Sequence, residues 1–252
     1  MLHSTDPTLS PMLRKLQIWT GLDEIDQQAV LALPHRFREL RAREYMVREG
    51  DEPRHSCLIL DGYAIRHKVA GNGGRQIMSL HMRGDVVDLQ NSLLQVADHN
   101  VETLTKVYAA LIPIDAIDRI IVDRPAVGKA MWKDTLVDGA IFREWALNVG
   151  RRDARTRIAH LLCELAIRLE VAGLGEQSCY ELPLTQEQLA DALGLTSVHV
   201  NRTLKSLDAD GLIKRLGRTI RIPDWESLTS VADFDSQYLH LDRSNLQQRS
   251  AA

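Results

Sequence analysis

Cysteine is scarce in this 252-residue chain: Cys57, Cys163 and Cys179 stand far apart and form no Cys-x-x-Cys pair. That excludes a disulfide framework and the usual structural zinc spacings, and it suits reduced, mostly buried thiols. No apolar run is long enough to span a bilayer and no secretory leader is present, so a cytoplasmic protein with no membrane partner is expected. Charge of one sign is lacking as well. Thirty-one Lys and Arg against 34 Asp and Glu leave a net −3, so any affinity for nucleic acid has to be local. No internal repeat or low-complexity stretch occurs. No nucleophile–base pair and no carboxylate pair stands out. His55, His67 and His81 fall on expected strands without a metal-ligand spacing. An enzyme is therefore not expected, and neither a metal nor a cofactor. The competing reading is a metal-binding β-roll enzyme or sensor with an accessory helical domain, which elemental analysis would separate.

What is present concentrates in Leu184–Ile222. Thr185 can cap a helix, with Gln188 as the returning partner three residues on. Leu189 and Leu193 share one face, and Gly194 can end that helix with a positive φ. Thr196 can cap a second helix bearing Val200, Leu204 and Leu207 on one stripe. Its outer face offers Ser197, His199, Asn201, Arg202 and Lys205. Two short helices about a glycine turn read as a helix-turn-helix. The two alternating runs around Gly217 read as a hairpin wing. Over 196–222 six cations (Arg202, Lys205, Lys214, Arg215, Arg218, Arg221) face two carboxylates, Asp208 and Asp210. A basic segment on an acidic chain is a footprint for phosphate. Two core helices with merely solvated charges would not need the cap, turn, stripe and wing to occur together.

Hydrophobic residues make up 44% of the chain, enough for ordinary cores, and the length suits two domains. Residues 1–10 read as loosely ordered. Pro11–Trp19 and Leu22–Leu33 read as short amphipathic helices. From His35 the period changes to short strands with turns at Asp61-Gly62, Gly71–Gly74 and Arg83-Gly-Asp85, the pattern of an antiparallel barrel or jelly roll. Asp115–Val122 is a short helix. Pro125 opens a long one that runs towards Val149, with Val137, Ile141 and Trp145 four apart and Trp132, Leu136 and Ala140 beside them. So much apolar surface implies a second copy of the same helix as partner. Gly150–Arg155 breaks the pattern and reads as a hinge. Gly173–Ser178 reads as a loop, and the chain after Phe234 as a polar, mobile tail.

The fold class is thus α+β: a β-roll at 12–124, a dimerisation helix at 125–149, a winged helix-turn-helix at 150–228 and a tail at 229–252. This architecture, with Leu184-Thr-Gln-Glu-Gln-Leu-Ala-Asp-Ala-Leu-Gly-Leu-Thr-Ser-Val-His-Val-Asn-Arg-Thr-Leu204, resembles the cyclic-AMP receptor protein/FNR (Crp/Fnr) family of bacterial transcription regulators. The resemblance covers roughly residues 12–228. It implies a homodimer on palindromic double-stranded DNA, with RNA polymerase as a further partner. Arg202 falls on the family's base-reading arginine. Val198 stands where many members carry a base-reading Glu, and Ser197 where they carry an Arg, so a different half-site is expected. Val198 can meet a thymine methyl. Thr185, Gln186, Lys205 and Arg218 are placed for phosphate, Thr196 and Asn201 belong to the same face, and His199 is open between DNA contact and solvent. In the roll, Met82-Arg-Gly-Asp-Val-Val-Asp-Leu-Gln90 resembles the segment before the family's phosphate cassette. Leu89 replaces the Glu that holds a ribose, and His99-Asn100 the Arg-Ser/Thr pair that clamps a cyclic phosphate. Tight cyclic-AMP binding is therefore not expected. The iron–sulfur sensor needs clustered N-terminal cysteines, and none precedes Cys57. Asp85, Asp88, Leu89, Gln90, His99 and Asn100 remain as the candidate pocket for an unknown small-molecule effector. A signal there would shift the hinge near Arg151 and so decide whether two recognition helices reach major grooves about 34 Å apart.

Overall fold

The computed structural model describes residues 8–241, and the chain separates into two units, one formed by residues up to Arg66 with Leu80–Leu136, the other by His67–Ser79 with the chain from Val137 onward. Leu9 is already fully buried and Ser10 opens the first helix, so the loose start expected for 1–10 does not extend to 8–10; residues 1–7 lie outside the described residues.

In the first unit, α1 (Ser10–Trp19) and α2 (Glu24–Leu31) precede β1 (Arg36–Leu40), β2 (Tyr45–Val47) and β3 (His55–Asp61); β4 (Ala64–Val69) and β5 (Arg75–His81) follow, and their hairpin, His67–Ser79, is counted with the second unit. A short helix α3 (Asn91–Leu94), which the sequence reading missed, comes before β6 (Asn100–Thr103), β7 (Val107–Pro113) and α4 (Ile114–Asp123). One sheet runs β1-β7-β3, the other β2-β6-β4-β5. The two-residue period of β7 explains the layering. Val107, Ala109 and Leu111 join Leu40, Cys57, Ile59 and Val101 inside the roll. Ala110 and Ile112 point the other way, into a second core with Leu13, Leu16, Ile117 and Met131 from the helices. Buried on both faces, β3 and β7 carry near-continuous apolar runs. Gly62, at φ +88, is required at the β3–β4 turn because a Cβ there would run into the Lys106 carbonyl.

A buried ionic staple holds this unit. Lys15 Nζ lies 2.7 Å from Asp85 and 2.9 Å from Asp134. Burial works against its charge, but Asp134 and Asp85 overcome that and hold its pKa above the ordinary lysine value.

The long helix α5 runs Pro125–Arg151 and α6 runs Ala154–Val171, capped by Asp153, whose side chain accepts from Thr156 N. Only Arg152 and Asp153 separate them, so the expected break at 150–155 is a tight elbow. The second unit continues with β8 (Gly175–Glu176), β9 (Cys179–Glu181), α7 (Gln186–Leu193), α8 (Ser197–Ala209), β10 (Lys214–Leu216), β11 (Thr219–Arg221) and α9 (Trp225–Ala232). The expected loop 173–178 supplies β8, and its sheet runs β10-β11-β9-β8. A 3₁₀ turn at Ser236–Leu239 buries Leu239, so the tail is packed as far as the described residues reach; 242–252 lie outside them.

Candidate nucleic-acid interface

The helix-turn-helix is assembled by signals within a few residues of each other. Thr185 Oγ1 accepts from Gln188 N while Thr185 N donates to Gln188 Oε1, closing a capping box worth about 1 kcal/mol. Gly194 ends α7 in the left-handed region at φ 62. A Cβ there would stand 3.2 Å from Val149 Cγ1, so glycine also lets the turn approach α5. Thr196 caps α8 by accepting from His199 N. Leu189, Ala190, Ala192 and Leu193 of α7 and Val200, Thr203, Leu204 and Leu207 of α8 are buried. That orientation leaves Ser197, Arg202 and Lys205 exposed and Val198 exposed at 78%, with His199, Asn201 and Gln186 half-buried.

Behind the turn, Arg157 Nη1 donates to the Leu193 carbonyl at 2.9 Å and Nε to the Arg152 carbonyl at 2.8 Å. The wing is welded in too: β11 pairs with β9, placing Ile220 opposite Tyr180, whose hydroxyl donates to the Leu162 carbonyl of α6. Arg218 Nη2 donates to the carbonyls of Leu182 and Pro183, and Lys214 to that of Asp208. These two cations of the expected basic set hold the wing; Arg202 and Lys205 remain on the outer face. The hairpin between β4 and β5 belongs to this unit: Arg75 Nε and Nη2 both reach Asp191 Oδ2 at 2.8 Å, and Gln76 Nε2 donates to the Ala192 carbonyl. Nothing in the sequence pointed to those bonds, which join positions 116 residues apart.

A buried polar network, also missed, lies on the far side of α6. Glu164, fully buried, accepts from Trp145 Nε1, Arg168 Nη1 and the Tyr238 hydroxyl. His160 lies between the Ala232 carbonyl, on Nδ1, and the Tyr238 hydroxyl, on Nε2, both at 3.2 Å. Burial first, and the Arg152 charge second, lower its pKa.

The six α5 residues chosen for dimerisation divide. Trp132 and Leu136 are exposed at 66% and 53%, whereas Val137, Ala140, Ile141 and Trp145 are buried within their own chain. The helical repeat misassigned that second group because a single apolar stripe does not say which neighbour covers it. Phe142 and Leu147 are exposed instead.

The candidate effector residues divide as well. Asp85 is committed to Lys15 and accepts from Met82 N, Leu89 joins the core under α1 and α4, and Asn100 Oδ1 accepts from Glu49 N. Gln90 is half-buried at the start of α3. Asp88 and His99 do come together. Asp88 is fully buried, neither carboxylate oxygen accepts a hydrogen bond among the described residues, and His99 Nε2 stands 3.5 Å from Oδ1. His99 Nδ1 meets Asp98 at 2.6 Å. Among the described residues no three His, Cys, Asp or Glu side chains gather to hold a metal ion. Burial raises the pKa of the Cys57 and Cys163 thiols, keeping both protonated and unreactive. No helix among the described residues is long and apolar enough to cross a membrane.

A double-layered roll, a long helix and a winged helix-turn-helix with an exposed, basic second helix define a DNA-binding regulator with a sensor-type domain. Residues 156–231 match the Crp-like helix-turn-helix domain and residues 37–124 the cyclic nucleotide-binding domain. Transcriptional activator protein FnrL of Cereibacter sphaeroides is 29% identical over 204 residues, covering 79% of this chain and 82% of its own length. Probable transcriptional regulator flp of Lacticaseibacillus casei is 27% identical over 217 residues, 85% of this chain and 95% of its own. The structure of FixK2 from Bradyrhizobium japonicum shares the fold, with a TM-score of 0.73 at 23% identity over 79% of this chain and 98% of that one. The chain belongs to the Crp/Fnr family of transcription regulators.

Proposed function

We propose that this regulator works as a homodimer on a palindromic operator, with residues 12–124 as sensor, 125–149 as dimer helix and 150–228 as reader. The observation that carries it is the division of α8 into a buried apolar face and an outer face holding Ser197, Val198, Arg202 and Lys205. Arg202 reads a guanine edge and Val198 a thymine methyl, while Thr185, Gln186, Thr196, His199, Asn201, Lys205 and Arg218 line the backbone approach. The second copy docks along the line of exposed Trp132, Leu136, Phe142, Ala146 and Leu147 with half-buried Gly139 on α5, where small residues let two helices come close. RNA polymerase is the downstream partner, in the cytoplasm. The effector is not cyclic AMP, because Leu89 lies in the apolar core and cannot bond a ribose hydroxyl, and His99-Asn100 lacks the guanidinium clamp.

Selection from random duplex DNA with the purified protein tests this reading. A twofold-symmetric consensus, bound with affinity that falls steeply with salt, is the expected result. A protein that stays monomeric and selects nothing overturns it. A cyclic-AMP titration by calorimetry is expected to give no binding heat.

A further inference from the structure

Arg152 sits between α5 and α6, with its side chain only 9% exposed. Its Nη1 reaches Glu144 of α5 at 2.7 Å, its Nε reaches Asp233 Oδ2 at 3.1 Å, and its Nη2 donates to the Asp233 carbonyl. One planar fork therefore ties the long helix to the segment after α9. That segment makes a second attachment. The Tyr238 ring stacks on His160 at 5.9 Å and its hydroxyl donates to Glu164 of α6, which also accepts from Trp145 of α5. Both attachments close over the two-residue elbow. The recognition helix hangs from the same point, because Arg157 joins the Arg152 carbonyl to the Leu193 carbonyl at the helix-turn-helix turn.

We propose that Asp233–Leu239 is a brace that fixes the α5–α6 elbow and so sets the half-site spacing the dimer accepts, with Arg152 and Tyr238 as positioning residues. This rests on the dimeric reader proposed above. DNA counts distance in base-pair steps of about 3.4 Å. A freed elbow is therefore read out as tolerance of neighbouring spacings, whereas simple loss of stability weakens every site alike.

The test uses the full chain and a duplex library carrying two copies of the selected half-site at varied separation. Wild type is expected to enrich a single spacing. Arg152→Ala and Tyr238→Phe should keep single-half-site affinity within about twofold, as for changes away from the contact surface. They should lose about tenfold or more on the preferred paired site, the scale of one coupling free energy, and spread their preference over adjacent spacings. Arg152→Lys, which keeps the charge but not the fork, should fall between. Melting curves and solution mass establish that each variant is folded and dimeric. An unchanged spacing preference in both substitutions, or parallel loss on single and paired sites, overturns the brace. Failure of wild type to select paired half-sites overturns the regulator reading itself and is seen before any variant is examined.

Discussion

The reader and the roll are built by opposite strategies. In the reader, Thr185, Gly194 and Thr196 act on neighbours within a few residues, and the groups left over face outward. In the roll, contacts join distant positions, such as Lys15 to Asp85 and Ser56 to Asp88, and the leftover polar groups face inward. A surface presented by consecutive residues declares its chemistry. An interior assembled from remote strands does not: its buried Asp88 carboxylate accepts no hydrogen bond among the described residues and has only the His99 ring, 3.5 Å from Oδ1, beside it.

Four measurements would break or sharpen that contrast. Leu204→Ala, at a fully buried position, should lower unfolding free energy by about 2–5 kcal/mol in denaturant titration. Arg202→Ala should leave melting unchanged and weaken the selected site by about 1–3 kcal/mol, relaxing specificity at one base pair. Wild-type affinity in that variant would mean that the register assigned to α8 is wrong. Two substitutions of about 1 kcal/mol should have opposite signs: Thr185→Ala destabilises by removing a cap, whereas Asp88→Leu stabilises by replacing buried carboxylate oxygens that accept no hydrogen bond among the described residues with an apolar group of similar size. A lower melting temperature for Asp88→Leu would mean that the contact with His99 outweighs the cost of burying the carboxylate.

The smallest effect is on pH. Burial, then Arg152, hold the folded pKa of His160 below its ordinary 6.5. The unfolded chain therefore binds the proton first, so stability is complete above that value and declines as pH falls below it. Melting temperature should drop between about pH 7 and about pH 5.5, before the carboxylates respond. Asp153, lowered by its bond from Thr156 N, and Asp224, lowered by the Ser227 hydroxyl, titrate further down. His160→Gln should flatten the decline, leaving the share of His55, whose pKa burial and Arg36 also lower. An unaltered slope would place the proton elsewhere.

The parts legible in the sequence were those governed by local rules. Alternation marked the strands, and caps with a left-handed glycine marked both reader helices. Periodicity found α5 but divided its face wrongly, since Val137 and Trp132 are equally apolar and only tertiary packing separates them. β9, three residues long, is stabilised by pairing with β11 some forty residues later, which no local pattern announces. Glu164 and His160 read as ordinary helix residues; their burial depends on a segment dismissed as tail.

The fork of Arg152 also constrains anyone wishing to exchange readers between relatives. A chimaera joined at Asp153, the natural seam between the helices, would import Asp233 from one parent while keeping Glu144 and Arg152 from the other. Swaps cut upstream of Glu144 carry all three together, and only those transplants should inherit the donor's operator geometry intact.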